Sequence, residues 1–139
     1  MKINQITTKA LVGLCFSLAS LAVFAQSMKV TLAGSQEVPP VTTSASGTGS
    51  IMVSPDGSVS GSVTTSGVDG TMAHIHEAPM GQNGPVIVPF AKTADNVWSV
   101  PAGAKLTDAQ LQSLKGGNLY INVHSAANKG GEIRGQLKP

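Results

Sequence analysis

The sequence predicts an all-β protein: a Greek-key β-sandwich or small barrel of about eight short strands, with one short helix. Three observations predict it. Short runs alternate apolar and polar residues at period 2, as half-buried strands do. Turn residues recur at close spacing, among them Pro55-Asp56-Gly57, Val68-Asp69-Gly70 and Asn128-Lys129-Gly130-Gly131. A single stretch after Thr107 carries the start and stop signals of a helix.

The first residues lie outside that pattern. Lys2 and Lys9 flank a polar opening, and the apolar ALVGLCFSLASLAVFA follows. This stretch is too short and too early for a membrane span, and Val23-Phe24-Ala25 ends it with residues a signal peptidase reads. The expectation is a signal peptide over residues 1–25 and a single domain over residues 26–139. It places the protein in the periplasm or outside the cell, with no membrane attachment after cleavage. Cys15 follows Leu14, where a lipoprotein site would want a small residue.

Residues 26–139 contain no cysteine, which excludes disulfides, thiolate metal ligands and a cysteine nucleophile. Their seven cations (Lys29, Lys92, Lys105, Lys115, Lys129, Arg134 and Lys138) balance seven carboxylates and are not clustered. A phosphate-binding face needs clustered Lys and Arg, so nucleic acid is not an expected partner.

Each element has its own signal. In residues 26–34, Val30 and Leu32 alternate with polar neighbours. Pro39 and Pro40 then stop any ladder, because neither donates an amide hydrogen. Residues 44–49 are small and read as flexible. Residues 49–54 and 58–66 form a hairpin about Pro55-Asp56-Gly57. In residues 71–76, Ala73 and Ile75 share one face, and Met72, His74 and His76 the other. Residues 77–83 are a loop, and Gly84-Pro85 opens the apolar run VIVPF. Residues 95–100 are a short strand with Trp98 as its anchor.

Thr107 is a good N-cap and Asp108 suits the positive end of a helix dipole. Leu106, Leu111 and Leu114 can cover one face, and Gly116-Gly117 ends the helix. In the next strand Leu119, Ile121 and Val123 face one way, and Tyr120, Asn122 and His124 the other. The last strand, residues 132–137, turns Ile133 and Leu137 inward and Glu132, Arg134 and Gln136 outward.

The three histidines of the chain all fall in two of these strands. His-x-His on a strand puts two imidazoles on one face, about 6–7 Å apart at the backbone, a workable bite for a metal ion. His124 from a neighbouring strand would complete a three-nitrogen set. Imidazole suits copper, zinc, nickel or iron, and the Irving–Williams order favours Cu(II) at an open nitrogen site. Copper is the expected cofactor, with zinc or another divalent metal as alternatives.

Five further residues are candidates for additional ligands or for holding a ligand in place. Met72 shares the face of His74 and His76, and Met80 lies in the loop that follows. Either thioether would favour Cu(I), or simply fill space. A symmetrical hairpin through residues 125–131 places Glu132 opposite His124 and Arg134 opposite Asn122. Glu132 could then orient His124, and Arg134 could draw an anion toward the site. The opposite reading is an ordinary surface pair of little energetic weight. Glu77 falls on the face away from His76. No nucleophile–His–Asp arrangement and no phosphate-binding glycine loop is present in the sequence.

The stretches LAGSQEVPPVTTSASGTGS, AHIHEAPMGQNGPVIVPF and LTDAQLQSLKGGNLYINVHSAANKGGEIRGQL resemble the CHRD family, named after repeats in chordin and common in secreted bacterial proteins. The resemblance implies a secreted all-β domain and says little about activity. More locally, His74-Ile75-His76-Glu77 and Tyr120-Ile121-Asn122-Val123-His124 are similar to copper-ligand strands of the copper–zinc superoxide dismutases. That similarity implies copper ligation by His74, His76 and His124. The zinc ligands and the disulfide cysteines of those enzymes have no counterpart in this sequence.

Three functions are therefore in play. The first is a secreted or periplasmic copper-binding protein that buffers or carries the metal without turnover. The second is a copper-dependent oxidoreductase of the dismutase kind. The third is a structural or protein-interaction module whose histidines are merely hydrogen-bonded.

Overall fold

A computed structural model describes residues 25–139. The expected signal peptide lies outside them apart from Ala25. The described chain is all-β with one α-helix, as expected. Nine strands form one antiparallel sheet: β1 Gln26–Ala33, β2 Ser46–Val53, β3 Val59–Ser66, β4 Gly70–Glu77, β5 Val86–Pro89, β6 Ala91–Ala94, β7 Val97–Ser99, β8 Leu119–Ser125 and β9 Ile133–Leu137. The order across the sheet is β5-β4-β8-β9-β1-β2-β3-β7-β6. Its two edges, β5 and β6, are joined in sequence by Phe90 alone. The sheet therefore curls round on itself as a nearly closed barrel, which leaves little free edge for unwanted pairing.

The inner face carries the core. Val30 and Leu32 of β1, Ile51 of β2, Val63 of β3, Ala73 and Ile75 of β4, Leu119, Ile121 and Val123 of β8, and Ile133 of β9 are all essentially inaccessible. Their alternation along each strand is the period-2 pattern of the sequence, and it sets which side chains are left for the outer face. Trp98 also belongs to this core, so it is an interior anchor rather than a rim residue.

The helix α1, Asp108–Lys115, closes one end. The Thr107 hydroxyl accepts from the Gln110 amide at 3.2 Å, and the Gln110 side chain accepts from the Thr107 amide at 2.9 Å. This reciprocal cap satisfies two otherwise orphaned donors. Leu106 and Leu114 are buried, and Leu111 packs at the margin of the core.

Two local readings are corrected. Residues 46–49 belong to β2 rather than to a flexible stretch, paired with both β1 and β3. Asp95 and Asn96 form the turn of a β6–β7 hairpin, with Asn96 at φ 61°, instead of opening a strand. The ninth strand, β6, is the one the sequence pattern did not predict. Its four residues are all exposed, so they carry no apolar alternation.

The larger correction concerns the outer face of β4, β8 and β9. Arg134 is 1% and Gln136 8% exposed, although the alternation assigns them outward. Alternation gives the face correctly, but two loops cover that face. Gln136 Nε2 donates to the carbonyls of Ala78 and Gly117 at 2.9 and 2.8 Å. Asn83 Nδ2 donates to the Val38 carbonyl at 2.8 Å, tying the loop after β4 to the segment after β1. The result is a second, polar interior layer outside the barrel wall.

Candidate metal centre

His74 and His76 project from β4, and His124 from β8, its hydrogen-bonded neighbour. The register sets Met72 across from His124, His74 across from Asn122 and His76 across from Tyr120. Ligand atoms of the three histidines all lie within 4.8 Å of one another. Bonds near 2.0–2.1 Å hold such donors about 3.4 Å apart around a tetrahedral ion and no more than about 4 Å apart in any geometry, so the widest pair would close by about 1–1.5 Å on binding an ion. This cluster could hold a metal ion.

Each imidazole is oriented by a different partner. His124 Nδ1 donates to the Lys129 carbonyl at 2.8 Å. His76 Nδ1 donates to the Gly84 carbonyl at 2.9 Å. A carbonyl oxygen only accepts, so each bond fixes the proton on Nδ1 and leaves Nε2 as a bare lone pair. His74 Nδ1 lies 3.1 Å from His124 Nε2 and donates to it. His76 Nε2 is buried and has no hydrogen-bond partner. An orphaned imidazole lone pair beside two more imidazoles fits a cation, and an ion would replace the His74–His124 bond.

The electrostatics point the same way. Burial lowers the His74 pKa to about 4, with His124 and His76 beside it adding to the effect. Burial also pushes His76 down, opposed in part by the Gly84 carbonyl. Both rings are held neutral at physiological pH, the form that ligates.

A stack supports the cluster from below. The Tyr120 ring lies parallel to His76, with centroids 4.8 Å apart and planes 7° off. The Arg134 guanidinium carbon sits 3.4 Å from the Tyr120 centroid. Since β8 runs between β4 and β9, His76 and Arg134 flank Tyr120 on opposite sides. The Tyr120 hydroxyl accepts from the Gly84 amide at 3.2 Å. Gly84 thus receives both His76 and Tyr120, and a Cβ at this position would fall on the Glu77 carbonyl oxygen. No other residue fits there.

The remaining candidates fall in different places. Met72 is on the ligand face beside His124 and is 49% exposed. Met80 is 64% exposed and lines a groove with Glu37, Arg134 and Gln136, away from the imidazoles. Glu132 accepts from the Thr43 hydroxyl at 2.8 Å, and Ser125 and Asn128 bond it as well, lowering its pKa. It does not orient His124; the Lys129 carbonyl does. The expected pairing of Asn122 with Arg134 is present. Arg134 does not reach out to anions, however. Its guanidinium donates to the carbonyls of Gln82 and Pro79 at 2.8 and 3.3 Å and to Gln136 Oε1 at 3.3 Å. Glu77 accepts from the Ser113 hydroxyl of α1, on the side away from the histidines.

Sequence reasoning missed Glu37, Gly84, Tyr120 and the Lys129 carbonyl. Glu37 is 4% exposed and sits beside Asn122 and Gly131. Burial raises its pKa to about 7, against the lowering effect of Arg134 and Asn122. A glutamate between Gly34-Ser35-Gln36 and two prolines carries no signal of burial. The partners of Gly84 and Lys129 are backbone atoms, which no residue type announces.

Fold and site together define a class: a small, nearly closed β-barrel domain with a cluster of three histidines able to hold a metal on its outer wall. The chain belongs to the CHRD domain family, which it matches over residues 28–137. No curated protein and no solved structure matches it.

Proposed function

We propose that the protein is a secreted or periplasmic copper-binding CHRD domain that buffers or carries the metal through His74, His76 and His124. One observation carries this reading: the three imidazoles converge within 4.8 Å. The fixed Nδ1 protons of His76 and His124, which leave Nε2 free on each ring, add to it. Copper is favoured over zinc because an unselective nitrogen site follows the Irving–Williams order. The export pattern of residues 1–25 supports a location where copper is met outside the cytoplasm.

A bound ion would supply a positive charge and a redox-active centre. The chain's own residues orient the imidazoles, keep His74 and His76 neutral and limit water access by burying His76 and His124. Superoxide guidance by Arg134, the feature that favoured an oxidoreductase, has no support from a guanidinium committed to the 79–83 loop. Isothermal titration of metal-free protein with Cu(II), beside the His74/His76/His124→Ala triple variant, tests the proposal. Saturable one-site binding lost in the variant is expected; equal binding by both would overturn it.

A further inference from the structure

The buried layer beside the histidines contains two further orphans, Asn122 Oδ1 and Glu37 Oε1. Asn122 is 2% exposed, and its Oδ1 has no hydrogen-bond partner. The side chain sits directly across from His74 in the β4–β8 ladder and lies against His76. Its Nδ2 donates to the Gly130 carbonyl at 3.3 Å and faces Glu37. Both neighbours of Nδ2 are oxygens, so the opposite amide orientation would set oxygen against oxygen on that side. Oδ1 is thereby turned away from Gly130 and Glu37.

Two buried acceptors, His76 Nε2 and Asn122 Oδ1, therefore stand in one place with no donor between them. A buried acceptor left without a donor destabilises the fold. A cation between them answers both.

Gly131 shows how the arrangement is kept. At φ 129°, a Cβ there would fall on Glu37 Oε1 and within 2.6 Å of Asn122 Nδ2. The absence of a side chain lets the Glu37 carboxyl reach Asn122 beneath the turn. A carboxyl oxygen next to Nδ2–H polarises the amide and strengthens Oδ1 as a donor, the same effect that outer partners have on metal-bound histidine.

We propose that Asn122 Oδ1 is a fourth ligand of the centre, and that Glu37 is the positioning residue that holds Asn122 in its ligating orientation. This rests on the three-histidine reading above. It also names the class of ion. An amide oxygen beside three imidazoles suits a divalent ion of borderline hardness over soft Cu(I).

Co(II) titrated into the metal-free protein is the probe, read by its visible ligand-field bands and by competition with a chelator. Wild type is expected to bind Co(II) with bands that vanish in the triple histidine variant. Asn122→Leu is expected to weaken binding by about 10–100-fold and to shift the bands. Asn122→Asp, which keeps an oxygen at that point and adds charge, is expected to bind at least as tightly as wild type, with altered bands. Glu37→Gln is expected to shift the bands and weaken binding by about tenfold. Folded Asn122→Leu protein with wild-type affinity and bands would overturn the proposal while leaving the histidines as ligands. If Asn122→Leu does not fold, unchanged affinity and bands in Asn122→Asp overturn it instead. Wild type that binds neither Co(II) nor Cu(II) removes the three-histidine reading and this one together.

Discussion

His74 Nδ1 donates to His124 Nε2 across 3.1 Å, although fifty residues separate them in sequence. The bond joins two adjacent strands at the point where an ion would be held. Metal-free protein thus keeps its ligands together by one imidazole–imidazole hydrogen bond, worth about 1 kcal/mol. An ion bound at His124 Nε2 would take the lone pair that now accepts the His74 proton, so binding breaks this bond. That bond makes the site compact before any metal arrives.

Metal should stabilise the fold through this cluster. At a free metal concentration about 100 times Kd, linkage gives about 2.7 kcal/mol, or a rise in Tm on the order of 10 °C for a domain of this size. Differential scanning calorimetry with and without Cu(II) measures it. The rise should disappear in His76→Ala and in His124→Ala; a metal-induced shift that persists in both would place the ion elsewhere.

Two groups, the half-buried His74 and the buried Glu37, should give the metal-free protein opposing pH dependences. His74 has a pKa of about 4 when folded, against an ordinary value of 6.5. Between those pH values the unfolded chain binds a proton that the folded one refuses, so stability falls as pH drops from 6.5 toward 4. Glu37 rises from an ordinary 4.5 to about 7 in the fold. The folded chain there keeps a proton the unfolded chain has lost, so this group's contribution is lost as pH rises from 4.5 toward 7. The two slopes oppose each other in the shared window. Glu37→Gln removes one of them, and its Tm should rise more steeply with pH between about 4.5 and 6.5 than that of wild type. Parallel curves would mean that Glu37 is not titrating in its buried position.

Gly84→Ala should harm the site more than a loop substitution usually does. A Cβ there meets the Glu77 carbonyl and moves the backbone that receives His76 Nδ1 and supplies the Tyr120 hydrogen bond. The expected loss is about 2 kcal/mol of stability or more, from strain and displaced buried hydrogen bonds. Copper affinity should fall with it. Urea denaturation and copper titration on one preparation would detect both, and a variant with intact affinity would show that Gly84 does not position His76.

Arg134→Lys should be costly despite keeping the charge. A lysine cannot reproduce the planar fork that serves Gln82, Pro79 and Gln136 at once, nor the contact with the face of Tyr120. Hydrogen bonds to a charged group contribute about 1.5–3 kcal/mol each, so a loss of about 2–4 kcal/mol is expected in urea denaturation. Hydrogen exchange should show the 79–83 loop opening first. An unchanged midpoint would return Arg134 to the role of a surface residue.

Much of the barrel was legible because its causes are local. Ala73 and Ile75 against His74 and His76, and Leu119, Ile121 and Val123 against Asn122 and His124, follow from period-2 alternation. Thr107 and Gly116-Gly117 mark the helix because caps are made by neighbours in sequence. The exposed AKTA strand was not legible, since it buries nothing and its pairing partner alone defines it.

By itself, the sequence determined an all-β domain and the face of each strand that carries histidine. It did so because side-chain direction along a strand depends only on position parity. Tertiary structure decided the rest. It set β4 beside β8, so that His124 meets His74 and His76. It folded residues 78–85 and the segment after β1 over that face, burying Arg134, Glu37 and Asn122. Contacts of that kind form between chain segments far apart in sequence, and the carbonyls of Gly84 and Lys129 that orient the imidazoles are the same atom in every residue type.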